Sequence, residues 1–272
     1  MHSFIPPDRF LPYLTWQDID SLPDKQKVVI VQPLGAIEQH GPHLPLIVDA
    51  AIVTGVMGKA LEALKPEIPA YALPTLTYGK SNEHWHFPGT ITLSATTLLH
   101  TLMEVGESLY RAGFRKLVFV NGHGGQPQVV EIAARDLRQC FEDFQVFPHF
   151  VWNALPPAAF SAWLSPQEVQ EGIHAGDAET SLMLALLPDQ VKFDRAVAAY
   201  PPALNAYPAL SWEGACPIAW MTRDLSQTGT IGNPTTASGA KGLAMLAALT
   251  TAWTEILEQI YRFQFPDKSL DY

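Results

Sequence analysis

Short apolar runs recur along the chain, and between them apolar positions repeat every three or four residues. The run VVIV at 28–31 is β-branched and ends at Gln32-Pro33, which predicts a strand buried on both faces. Beyond Asp49, the residues Ile52, Val53, Val56, Met57, Ala60, Leu61 and Leu64 keep helical spacing until Pro66 stops the pattern, so an amphipathic helix is predicted. PAYAL at 69–73 predicts a second strand. Ser94 stands as the N-cap of a helix carrying Leu98, Leu99, Leu102, Met103 and Leu109, with Gly113 as its stop. KLVFVNGHGG at 116–125 repeats the first design, a buried strand running into a glycine-rich turn, and a helix follows over about 127–140. In FQVFPHFVW, Pro148 lacks an N–H and restricts the strand to an edge or to its own end.

Ser165-Pro166 with Glu168 combines a cap, an N1 proline and a capping-box acid, the start of another helix. HAGDAETSLMLALLP enters a further helix closed by Pro188, and a last Ala- and Leu-rich helix covers about 236–263. The stretch 189–234 is rich in Pro, Trp and Gly and has no period; so long an irregular segment in a compact domain is usually functional or interfacial. Strands alternating with helices predict an α/β fold, a three-layer α/β/α arrangement around a mostly parallel sheet. No repeat or linker divides the chain, so residues 1–272 are expected to form one domain, long enough to bury a full core.

Charge narrows the partners. With 27 acidic against 17 basic residues, a net charge of -10, the chain lacks the clustered cations that a nucleic acid requires, and a small-molecule substrate is expected instead. The segment MHSFIPPDRFLPYLTW has no basic or apolar signal region, and no run approaches the roughly 18 apolar residues of a membrane span. A cytoplasmic protein without a membrane partner is expected. Cys140 and Cys216 belong to no CxxC pair and are expected to be buried thiols.

The chemistry concentrates in two loops. GAIEQHGPHLPLIVDA at 35–50 collects Glu38, His40, His43 and Asp49 around two prolines. Glu38 and His40 are one residue apart, so on an extended segment their side chains share a side. Pro42 and Pro45 stiffen the path to Asp49, whose short carboxylate stands at a helix start. His123, between Gly122 and Gly124, has room to approach a partner. In parallel sheets, ligands bind at the carboxyl ends of the strands, where these two loops would meet. Imidazoles mixed with carboxylates suit zinc, manganese or ferrous iron better than calcium. Asp49 has two oxygens and could bridge a metal pair that holds a hydroxide as the nucleophile. His174 and Glu179 lie before and within the first turn of a helix, as a general acid or base, or in the case of Glu179 as a further ligand. Each group also has a plainer reading: Asp49 as a cap, His123 bonded to a carbonyl, NGHGG as an anion-binding turn in a metal-free binding protein. His84 and His86, beside Trp85 and Phe87, read as packed loop residues, and Trp152, Trp212 and Trp220 as core or, for a minority, substrate wall.

Taken in order, LGAIEQHGPHLPLIVDA, EHWHFPGT, VNGHGG, HAGDAETS and GTIGNPTTAS resemble the signature segments of the creatininase family of metal-dependent amidohydrolases, over about residues 28–240. The resemblance implies a three-layer fold, a binuclear centre of two divalent ions and a homo-oligomer, often a hexamer. By position it makes Glu38, His40, Asp49 and His123 metal ligands, with Asp49 bridging, His174 the proton-shuttling histidine, and Glu179 the acid close to the metals. Creatininases read NGH-aromatic-Glu at the second motif, the Glu binding the second metal; here Gly124 and Gly125 stand there, which leaves Glu179 as the candidate to complete that shell. Glu171 stands where creatininase has Asp, and with Trp152 it is the candidate for substrate binding. The NGHGG form resembles the wider branch of the family, which includes deformylases and peptide-processing members. The expected activity is hydrolysis of a non-peptide C–N bond, a cyclic or linear amide such as that of creatinine, in a small polar molecule. A deformylase acting on a formamido pyrimidine is the alternative.

Overall fold

Val29, Ile30 and Val31 expose no surface on either side, because helices cover both faces of the sheet they belong to. In the computed structural model, which describes residues 2–265, the chain runs through α1 (Trp16–Ser21), β1 (Val29–Leu34), α2 (Val48–Ala63), β2 (Ala70–Ala72), α3 (Ala95–Arg111), β3 (Lys116–Asn121), α4 (Pro127–Cys140), β4 (Gln145–Phe150), α5 (Pro157–Phe160), α6 (Pro166–Glu171), α7 (Asp177–Leu186), α8 (Thr222–Leu225) and α9 (Gly239–Arg262). The strands pair in parallel in the order β2-β1-β3-β4. Alternate strand residues serve opposite cores. Val29, Val31, Val118 and Val120 pack with α2, α7 and α9, whereas Ile30, Leu34, Leu117 and Phe119 pack with α3 and α4. This is the predicted α/β/α layering, with Pro148 on the edge strand as expected.

Three local expectations change. The first strand continues through Pro33 to Leu34. On that side Gly35 N–H donates to Leu76 O and Leu76 N–H to Pro33 O, but β2 has already ended at Ala72, so no ladder acceptor waits for the missing N–H of Pro33. The predicted amphipathic helix, α2, is instead buried from Val48 to Gly58 without a break. It lies between the sheet and the α7/α9 pair, and a helix covered on both sides needs no polar face. Cys140 and Cys216 are exposed rather than buried. Cys140 ends α4 just past its last buried position, Leu137, and Cys216 sits in an exposed stretch at 213–217 outside any helix or strand.

Elsewhere the local signals act as read. Ser94 accepts from Thr97 N–H to cap α3, and Gly113 takes φ 99° beyond its end. Ser165 accepts from Glu168 N–H to open α6. Among the described residues, no helix is long and apolar enough to cross a membrane.

Lys116 ties the last helix to the sheet. It is 1% exposed, and its Nζ donates to Ile260 O, Tyr261 O and Phe263 O at 2.7, 2.7 and 2.6 Å, serving carbonyls at the end of α9, of which Ile260 O also accepts from Phe263 N–H. Burial pulls the amine down to about 8, while three carbonyls at a helix C-terminus favour its charged form. Lys116→Met is expected to cost about 3 kcal/mol, since it removes the donor of Tyr261 O and Phe263 O and leaves Ile260 O with Phe263 N–H alone. Urea unfolding would read this directly, and a loss below about 1 kcal/mol would show that the acceptors find other donors.

Candidate metal centre

The loop leaving β1 doubles back: Glu38 N–H donates to Leu46 O at 3.0 Å, and His40 bridges to Leu44. The turn returns the chain to Asp49 in the first turn of α2, where it caps nothing; the N-cap is Ile47, with no side-chain bond. His43 stays outside the cluster, its Nε2 2.9 Å from Thr180 Oγ1. After β3, Asn121 clamps the second loop, donating to His123 O at 2.7 Å and accepting from His123 N–H at 3.1 Å. Gly122 permits close approach, since a Cβ there would lie 2.8 Å from Asp49 O. Neither Gly122 nor Gly124 takes a left-handed φ, so space rather than backbone freedom explains the first glycine.

Two ligand sets result, sharing Asp49. On one side His40 Nε2 lies 3.3 Å from Asp49 Oδ1 and 3.7 Å from Glu179 Oε1. On the other His123 Nδ1 lies 3.1 Å from Glu38 Oε2 and 3.3 Å from Asp49 Oδ2. Each Asp49 oxygen therefore faces a different imidazole. His40 Nδ1–H donates to Glu38 O at 3.1 Å, which fixes the tautomer and turns Nε2 into the cluster.

These groups fit a cation. Glu38, His40, Asp49 and His123 are at most 3% exposed. Glu38 Oε2, His40 Nε2 and Asp49 Oδ2 have no hydrogen-bond partner among the described residues, which is costly for buried polar atoms unless something else binds them. Three-residue groups of one ligand atom each, His40/Asp49/Glu179 and Glu38/Glu83/His123, lie within 4.8 Å. The electrostatics of the cluster point to the same demand for positive charge. Burial lifts Glu38 to about 7, against the pull of His123. Burial would lower His40, but Asp49 and Glu179 outweigh it and hold the ring well above its usual range. His123 is likewise raised, Glu38 and Asp49 overcoming burial.

His174 and Glu179 join the cluster through an unusual turn. Ala175, between them, has φ 54° and donates to Glu179 Oε2 at 2.6 Å. His174 is held by paired backbone bonds with Ile231, so the GTIG segment meets the HAG segment. Its Nε2 lies 2.6 Å from Gln39 O and donates there, leaving Nδ1 toward Glu38 Oε1 at 3.8 Å. Burial, then the charge of His40, pulls this imidazole down to about 4.

Two neighbours escaped the sequence reading. His84, read as a packed loop residue, is buried inside the site, stacked on His174 at 4.2 Å with Nε2 3.5 Å from Glu38 Oε1. Glu83 sits beside it, Oε1 3.2 Å from His123 Nε2. Both belong to EHWHFPGT, a segment in which the sequence pattern assigns Glu83 no role; His86 is exposed. Glu179 falls on the His40 side, so the carboxylate facing the far edge of His123 is that of Glu83.

The cluster opens into a cavity of about 980 Å³ whose aromatic wall includes Trp152, Phe160, Trp212 and Trp220. Lys80 is the one Lys or Arg among its described lining residues, and it donates to Gly125 O. Glu171 does not line it; it accepts from Gln167 on α6. The helix turn instead presents Glu168. That residue, read as a capping-box acid, accepts from Asp177 N–H, Asn233 N–H and Tyr200 O–H at 2.7, 2.8 and 2.9 Å and so pins the His174 turn.

Fold and site together define an α/β protein with a buried carboxylate–imidazole centre at the strand ends. A sequence model of the creatininase family, described as creatinine amidohydrolase, matches residues 12–257. The chain is 35% identical to the creatinine amidohydrolase of Pseudomonas putida over 71% of its length and 77% of the relative's. It is 31% identical to the mycofactocin precursor peptide peptidase of Mycolicibacterium smegmatis over 89% and 87%. Solved creatininases in manganese and zinc–zinc forms superimpose with TM-scores of 0.76 and 0.75, at 30% identity over 93% of this chain and 98% of theirs. The protein belongs to the creatininase family and is a hydrolase of that family.

Metal binding must displace protons from groups held high by the cluster, so affinity should rise with pH from about 6 through neutrality. Calorimetric titration with zinc in buffers of different ionisation enthalpy should show net proton release at pH 7. Uptake or no exchange would contradict the assigned protonation.

Proposed function

We propose that the protein is a metal-dependent amidohydrolase that cleaves a non-peptide C–N bond, a cyclic or linear amide. The observation that carries this reading is the pair of ligand sets joined by Asp49, each oxygen facing a different imidazole. Glu38, His123 and Asp49 Oδ2 would hold one divalent ion, and His40, Glu179 and Asp49 Oδ1 the other. The mixed nitrogen and oxygen donors suit zinc, manganese or iron. When bound, such ions supply Lewis acidity toward a carbonyl oxygen and lower the pKa of water.

The chain's own groups position and move the proton. His174 is neutral at rest, its Nε2–H spent on Gln39 O, so Nδ1 is the atom that accepts a proton and returns it to the leaving nitrogen. Burial around the centre excludes bulk water and strengthens these interactions. Trp152 and its aromatic neighbours would form the substrate wall.

A second reading, cleavage of a peptide amide, is favoured by the size of the cavity and its aromatic wall, and by the peptide peptidase among the relatives. A panel of creatinine, formamides, linear amides and short peptides with the zinc- or manganese-loaded protein separates the readings. Turnover of peptides alone would replace the first by the second, and turnover of none of them would count against both. His174→Ala is expected to lower kcat about 10²- to 10⁴-fold while metal content stays at the wild-type level. Near-full activity in that variant would remove the proton-carrying role.

A further inference from the structure

We propose that Glu83 is a metal ligand, supplying the carboxylate that closes the shell of the ion held by Glu38 and His123, and that position 125 is glycine because this carboxylate fills the space a side chain would take. The inference rests on the metal-dependent reading above. Glu38, Glu83 and His123 each bring one ligand atom within 4.8 Å of the others. The Glu83 side chain is 13% exposed, and its two oxygens are divided: Oε1 lies 3.2 Å from His123 Nε2, across Cε1 from the Nδ1 that faces Glu38, and Oε2 faces Lys80 Nζ at 3.8 Å.

The backbone beneath Glu83 is held from several directions. Thr222 Oγ1 donates to Glu83 O at 2.9 Å, Ser81 N–H to Thr92 Oγ1 at 2.8 Å, and His84 N–H to Ser81 O at 3.1 Å. An orienting role, in which Glu83 merely accepts the ring N–H of His123, is already filled. Lys80 O lies closer to His123 Nε2, at 2.9 Å, and Ser81 Oγ is at 3.2 Å. With that donor satisfied by a carbonyl, the anionic Oε1 is available to a cation.

Gly125 supplies independent support. A Cβ there would run into Glu83 Oε1 and come within 2.5 Å of His123 Nε2. Its φ is not left-handed, so the backbone does not itself require glycine. The missing side chain therefore makes room for the carboxylate that arrives from elsewhere. With Glu83 counted, the His123 side gathers three carboxylates and one imidazole, and the His40 side two carboxylates and one imidazole, donor sets that zinc and manganese accept.

The test is elemental analysis and calorimetric titration with zinc alone and manganese alone, on chelator-stripped wild-type protein and Glu83→Gln. Wild type is expected to take up two ions and Glu83→Gln one, the retained ion and an unchanged far-ultraviolet spectrum showing that the variant is folded. Gly125→Ala, which places a methyl where Oε1 sits, is expected to lose the same ion. Two ions retained in Glu83→Gln, at unchanged affinity or merely about 10- to 100-fold weaker, would overturn the ligand role, because that is what loss of an orienting partner does. Wild-type protein taking up no ion would overturn the metal-dependent reading itself, and with it this inference.

Discussion

Two carboxylates buried side by side, Glu38 and Asp49, impose the constraint around which the rest of the molecule is arranged. Each is nearly inaccessible, and ionised carboxylates in such surroundings cost several kcal/mol apiece unless positive charge or hydrogen bonds offset them. In the metal-free protein the offset comes from His40 and His123, both held protonated well above their ordinary range. A divalent ion can take over the same task with better geometry, because Glu38 Oε2, Asp49 Oδ2 and His40 Nε2 already lie buried without hydrogen-bond partners among the described residues. The loops must therefore be rigid enough to keep like charges together. Asn121 clamps one loop, the return through Leu46 clamps the other, and Gly122 lets the two meet.

The second half of the chain is organised to hold His174 and Glu179 against that centre. In HAGDAETS each polar letter has a separate task. Glu179 faces His40, Thr180 bonds His43, and Ser181 donates to Asp177 Oδ1 at 2.9 Å. Asp177 in turn accepts from Thr236 and from Lys241 of α9. Glu168 pins the same turn from below, and Ala175 takes its left-handed conformation between the two functional groups. Strain of this kind, about 1–3 kcal/mol per residue, persists only where surrounding bonds enforce it. Here those bonds reach from α6, α7, α9 and the segment around Ile231, so the proton-carrying imidazole depends on packing spread from α6 to α9.

The cavity belongs to a different layer of the design. Its aromatic side chains come from 150–160, a run of short helical turns after β4, and from the irregular stretch 212–220, while its reacting groups come from strand ends and helix starts. Chemistry placed on the rigid frame and shape placed on loops let one frame serve substrates of different size. That division matches the range of activities named for the relatives, one acting on creatinine and another on a precursor peptide.

Periodicity, caps and prolines in the amino-acid sequence were sufficient to read the strands, most helix boundaries and the α/β layering, because these depend on contacts a few residues apart. The residues Glu38, His40, Asp49, His123, His174 and Glu179 were legible for a related reason: their motifs stand directly at strand and helix ends, where local structure already says which end of the sheet they occupy. What local pattern could not contain was decided by the tertiary structure. α2 is buried on both sides because α7 and α9 return from late in the chain to cover it. Glu171 lies off the cavity while Glu168 holds the turn, a difference of one helical face. Glu83 reaches His123 across about forty residues, into space left by Gly125, and no spacing along a chain reports which distant side chain will occupy a gap.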